Sequence, residues 1–254
     1  MLYTNLKKTY KTKIIIALDY SSKKKALMLI KNLNPKFYRL KIGKEMFFLF
    51  GINFLKKIIH LGFKVFLDLK LNDIPNTVFR AIKSFSKLNL WMISIHASGG
   101  KDMMKSAKSA IKFFKKPPLL ISVTVLSSFS NKNLNEIGIY SSINKQILLL
   151  AKLSKKIGLD GVVCPGSAVK DIKKILGADF KIITPGVRML NSSLHDQKNV
   201  ITPEKAVNLK IDYIVLGRII TFSQNPINDL KKIFLLINNK KKNFNILNIN
   251  KISN

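Results

Sequence analysis

A chain of 254 residues with 47% hydrophobic content is long enough to bury the core of one large domain. Its single cysteine, Cys164, excludes an internal disulfide and suits a reducing compartment, while His60, His96 and His195 are too scattered to spell a metal site. A formal net charge of +32 invites a nucleic-acid reading, but the charge is nearly all lysine, is spread along the chain and accompanies abundant Asn and Ile, as in a strongly AT-biased genome.

Residues 1–13 read as a basic extension. The run Ile14-Ile15-Ile16-Ala17-Leu18 is too short for a signal peptide and ends at Asp19. No apolar run approaches a membrane span, so a cytoplasmic protein is expected. Strands are expected at 14–19, 37–43, 63–70, 91–96, 119–125, 159–164, 180–184 and 212–217. They are rich in Ile, Val, Phe and Leu without polar alternation, which suits parallel strands buried on both faces.

Apolar residues at helical spacing lie between these runs. After the possible caps Ser21 and Ser22 come Ala26, Leu29, Ile30 and Leu33. Val78, Ile82 and Phe85 repeat the pattern, as do Met104, Ala107, Ile111 and Phe114. The polar stretch 129–142 reads as a loop or short helix, and Ile143, Ile147 and Leu150 mark the next helix, followed by Val169, Ile172 and Leu176. Thr202-Pro203 and Asn225-Pro226 each place proline at a first helical position. Residues 238–254 form a Lys/Asn-rich tail. Eight strands alternating with helices over 14–237 predict a single-domain (β/α)8 TIM barrel. A doubly wound sheet is the alternative, but it needs a glycine-rich loop where the chain reads Asp19-Tyr20-Ser21-Ser22.

Polar residues collect where the strands end, which in a TIM barrel is the active face. The most informative stretch is Asp68-Leu69-Lys70-Leu71-Asn72-Asp73-Ile74-Pro75. Strand periodicity puts Asp68 and Lys70 on one face, and Asp73 lies just beyond. Asp19, Lys41, His96, Thr124, Ser127 and Arg188 close other strands, and Gly217-Arg218 closes the last. The ends of strands seven and eight are the usual phosphate site of this fold. Gly217 lets a phosphate approach the backbone, and Arg218 offers a bidentate fork. Two of the chain's four arginines, Arg188 and Arg218, fall there. The long stretch 185–199 reads as a closing lid carrying Gln197.

Together these residues resemble the bacterial branch of the orotidine 5′-phosphate decarboxylase family, from about Ile14 to Leu236. The blocks are Ile16-Ala17-Leu18-Asp19, Leu40-Lys41-Ile42-Gly43-Lys44-Glu45, Asp68-Leu69-Lys70 with Asp73-Ile74-Pro75-Asn76-Thr77, and His96-Ala97-Ser98-Gly99-Gly100. Val123-Thr124-Val125-Leu126-Ser127, Thr184-Pro185-Gly186-Val187-Arg188 and Val215-Leu216-Gly217-Arg218 complete them. The resemblance implies conversion of orotidine 5′-phosphate to UMP and CO2 without metal or cofactor. It implies Lys70 as proton donor to C6, Asp68 beside the substrate carboxylate, and Lys41 and Lys70 alternating with Asp68 and Asp73. Asp73 and Thr77 would come from the second subunit of a homodimer. Asp19 and Lys41 would contact the ribose and Ser127 the pyrimidine. Gln197, Gly217 and Arg218 would hold the phosphate, with Arg188 in the closing loop. Ser127 and Ile219 depart from the family's frequent threonine and proline without removing a catalytic group.

Two rivals stay open at this point. Related decarboxylases and aldolases of sugar phosphates share the Asp-x-Lys-x-x-Asp spacing but use Mg²⁺. A nucleic-acid-binding protein would explain the charge, but needs aromatic stacking residues on a basic stripe. Most phenylalanines here fall on apolar faces instead. Either way, the charge attracts anionic ligands at low salt and loses that pull as salt rises.

Overall fold

The computed structural model describes residues 12–189 and 200–238. Eight parallel strands close into a barrel in sequence order. They are β1 (Lys13–Ala17), β2 (Tyr38–Gly43), β3 (Val65–Leu71), β4 (Met92–His96), β5 (Leu119–Val123), β6 (Gly161–Val163), β7 (Lys181–Thr184) and β8 (Tyr213–Leu216). The helices are α1 (Lys23–Lys31), α2 (Lys44–His60), α3 (Pro75–Ser84), α4 (Gly100–Ala110), α5 (Asn131–Glu136), α6 (Ile143–Ile157), α7 (Val169–Leu176), α8 (Pro203–Asn208), α9 (Arg218–Thr221) and α10 (Pro226–Asn238). This is the TIM barrel expected from the alternation of runs, and the doubly wound alternative is excluded by closure of β1 on β8.

The uniform apolarity of the strands has a simple cause: each is covered on both faces. Ile14 and Ile16 pack outward against helices, whereas Ile15 and Ala17 point into the lumen. Lumen positions recur at every second residue, giving Phe66, Met92, Ile121, Ile183, Tyr213 and Val215. The helices are started by local chemistry. Ser22, Ser130, Ser142 and Thr202 each accept an N–H bond from the first turn that follows. Proline stands in the first turn of α3 and α8.

Several boundaries differ from expectation. β1 begins at Lys13, so the basic extension gives one residue to the barrel. β6 shrinks from 159–164 to three residues. Gly161 there lies so close to the Lys181 carbonyl of β7 that any Cβ would collide with it. Helix α2 was not singled out in the sequence, because its apolar run Met46 to Phe50 has no clean period, and Gly51, at φ 59°, breaks it. The polar stretch 129–142 holds the short helix α5.

One irregularity positions the site. Leu67 pairs with Ile93, but Leu71 pairs with Ile95, so β3 bulges between them. Inside the bulge Lys70 takes φ 50°, a left-handed backbone that side chains seldom adopt.

Candidate active site

The lumen changes character from one end to the other. At its lower end Trp91 and Tyr213 stack edge to face, with ring centroids 5.1 Å apart. Above them lies the apolar layer, and at the upper end the same strands present charge. Asp19 follows β1, Lys41 lies on β2, and Asp68 and Lys70 lie on β3. These four side chains form an alternating chain. Lys41 Nζ is 3.4 Å from Asp19 Oδ1 and 3.4 Å from Asp68 Oδ2, and Lys70 Nζ donates to Asp68 Oδ2 at 2.9 Å.

Burial sets the electrostatics. It pushes the Asp68 carboxyl up, but the Lys41 and Lys70 ammoniums, with hydrogen bonds from Lys70 and Ser94, bring it below its ordinary value. Burial pulls Lys41 down, but Asp68 and Asp19 carry it above its ordinary value. Both groups are therefore held charged at neutral pH.

The array floors a cavity of about 270 Å³. Val123, Val125, Leu126 and Ser127 line one side, and Val163, Cys164 and Pro165 another. Pro185, Gly186 and Arg188 follow β7, and Gly217 and Arg218 follow β8. Asp19, Lys41, Asp68, Lys70, Ser127, Arg188, Gly217 and Arg218 all line this one space. Arg188 is buried, and its backbone N–H bonds Ile201 O at 3.0 Å, while Ile201 N–H bonds Gly186 O at 3.1 Å. This ties the chain on either side of 190–199 together. Gln197 lies outside the described residues.

Other residues fall elsewhere. Asp73 and Thr77 are exposed and do not line the chain's own cavity, and Asp73 Oδ1 accepts the Ile74 N–H. The negative end of the array within one chain is Asp19, not Asp73. Thr124 turns away to donate to Val163 O at 3.0 Å, closing the β5–β6 seam. His96 sits beside Ser98, 2.6 Å from its hydroxyl, and burial with the nearby Lys70 and Lys44 ammoniums lowers its pKa.

Sequence reasoning missed Ser94 and Cys164. Ser94 is fully buried and donates to Asp68 Oδ1 at 2.7 Å. Its signal was a lone hydroxyl residue in the run Met92-Ile93-Ser94-Ile95-His96, on the lumen parity. Cys164 lines the cavity, but burial raises its thiol to about 12, which keeps it protonated and inert. Among the described residues no three His, Cys, Asp or Glu side chains gather to hold a metal, and no helix is long and apolar enough to cross a membrane.

Comparison with known proteins identifies the family. The model of the orotidine 5′-phosphate decarboxylase / HUMPS family matches residues 12–233. An orotidine 5′-phosphate decarboxylase of Buchnera aphidicola subsp. Schizaphis graminum is 56% identical over 238 residues, covering 93% of this chain and 98% of the relative. That of Pseudoalteromonas translucida is 49% identical over 216 residues, covering 85% and 92%. The crystal structure of the Lactobacillus acidophilus orotidine 5′-phosphate decarboxylase superposes with a TM-score of 0.79 at 34% identity, covering 89% of this chain and 99% of that one. The chain belongs to the orotidine 5′-phosphate decarboxylase family.

Proposed function

We propose that this chain converts orotidine 5′-phosphate to UMP and CO2, the last step of UMP synthesis, with Lys70 as the proton donor and without a metal. The observation that carries this reading is the Asp19–Lys41–Asp68–Lys70 chain at the floor of the cavity. Breaking the C6–carboxylate bond leaves its electron pair on C6, where no adjacent carbonyl can delocalise it. The site must then offer fixed positive charge. The Lys70 ammonium supplies it and gives its proton to C6, ending as a neutral amine. A positioned general acid contributes about 10²–10⁴-fold, and the preorganised field adds to that.

Asp68 has a different task. It lies 2.9 Å from the Lys70 ammonium and is held ionised, so it repels the substrate carboxylate beside it. Departure of neutral CO2 relieves that repulsion. Asp19 and Lys41 hold the ribose and Ser127 the pyrimidine. Gly217, Arg218 and Arg188, with Gln197, hold the phosphate, whose binding energy is spent on closing and ordering the site.

The reading includes a homodimer. Asp73 and Thr77 are exposed, Ile74 between them is 67% exposed, and Phe48 on the neighbouring α2 is 76% exposed. A second copy covering these residues gives them a partner surface and brings Asp73 and Thr77 to its own cavity. The enzyme works in the reducing cytoplasm, which suits its one cysteine.

Following the ultraviolet absorbance of orotidine 5′-phosphate tests this reading, with sedimentation of the same preparation. The expected result is loss of absorbance at an equal rate with and without EDTA, by a particle of twice the chain mass. A requirement for Mg²⁺, or full activity in a monomer, contradicts it.

A further inference from the structure

Ser94 bonds the backbone of one member of the array and the side chain of another. Its hydroxyl accepts the backbone N–H of Lys70 at 2.9 Å and donates to Asp68 Oδ1 at 2.7 Å. The directions are fixed by chemistry, since an amide N–H only donates and an ionised carboxylate only accepts. The residue is fully buried on β4, between Met92 and His96 on the lumen side.

The placement coincides with the bulge. In a regular strand the Lys70 N–H would face β2, on the side where the Lys64 carbonyl accepts the Leu40 N–H, whereas Val65, of the other parity, bonds Trp91 beside β4. Here β3 advances from Leu67 to Leu71 while β4 advances only from Ile93 to Ile95, and the Lys70 N–H meets a side chain. The same residue carries the left-handed φ of 50°. Such a backbone persists in a lysine only when its surroundings hold it there. The next stretch of chain is held as well: Asn72 packs so closely on Gly99 that a Cβ there would lie 2.7 Å from Asn72 Oδ1, and Ser106 Oγ donates to Pro75 O at 2.9 Å.

We propose that Ser94 is a positioning residue for the decarboxylation: one hydroxyl holds the β3 bulge that aims Lys70 and fixes the Asp68 carboxylate against its ammonium. The inference rests on the reading of Lys70 as proton donor. Asp68 Oδ1 is occupied by Ser94, which leaves Oδ2 to Lys41 and Lys70. Without the hydroxyl the Lys70 N–H loses its acceptor, the bulge relaxes and Nζ moves. A shift of about 1 Å at a reacting group is enough to cost about 10²-fold in rate. Ser94 does not line the cavity, so substrate binding is spared.

The test compares Ser94→Thr with Ser94→Val, which have the same shape but differ in the hydroxyl. Any cost of the added bulk falls on both. We expect kcat of the Val variant to lie about 10²-fold below that of the Thr variant, with KM and UMP affinity equal within about twofold. If the Val variant does not fold, Ser94→Ala is compared with the unaltered enzyme for the same split. Equal kcat in the folded members of the pair, or a loss carried by KM alone, overturns the inference. A Lys70→Ala control separates the two claims. Turnover by that variant defeats the proton-donor reading, whereas an inactive Lys70→Ala with equal Thr and Val variants defeats only the role of Ser94.

Discussion

The two ends of the barrel lumen both carry basic residues, with β2 supplying one to each, but treat them differently. At the lower end Arg39 of β2 lies over the Trp91 ring at 5.8 Å, its Nη1 donating to Phe37 O, and Lys13 of β1 lies over Tyr213 at 5.8 Å. Burial lowers the pKa of both. At the upper end Lys41, two residues beyond Arg39 on β2, is raised despite burial because Asp68 and Asp19 flank it. Aromatic faces and apolar stems serve to plug a barrel. Carboxylates are required where an ammonium must stay charged and ready beside a reacting carbon. The comparison separates a stability end from the proposed chemical end within one lumen.

Two substitutions sharpen that separation. Tyr213→Ala empties a buried position under the apolar layer and is expected to cost about 3 kcal/mol of stability in denaturant unfolding. The kcat of the folded variant should stay within about twofold of the original enzyme. A parallel fall of kcat would mean that the two ends are coupled. At the mouth, Arg218→Ala should leave stability nearly intact while lowering kcat/KM by about 10²-fold, or about 2.7 kcal/mol of transition-state binding. An unchanged kcat/KM would remove Arg218 from the phosphate role.

Much of this contrast was legible in the sequence. Strands buried on both faces lose polar alternation, so runs such as Ile14 to Leu18 announced a parallel barrel, and strand parity put Asp68 and Lys70 together. What parity could not show was the bulge. Its register shift arises from pairing with β4, a long-range choice, and the left-handed Lys70 follows from it. Ser94 stands out in its strand only as a lone hydroxyl on the lumen parity, and that does not show which side chain and backbone group of the neighbouring strand it bonds. The resemblance implies a ribose contact for Asp19, but its place in the ion-pair chain depends on the β1–β2 register, Ala17 against Lys41. Helix α2 was obscured by a surplus of apolar residues, several of them exposed, including Phe48 and Leu49.

The central claim is that the Lys70 ammonium makes the C6 carbanion tolerable and then protonates it. Turnover of orotidine 5′-phosphate by Lys70→Ala, followed by absorbance, tests this most directly. The account predicts a folded variant that still binds UMP and is slower by at least about 10⁴-fold, since it lacks both the general acid and the nearest fixed positive charge. A folded Lys70→Ala with turnover within tenfold of the original enzyme would contradict it.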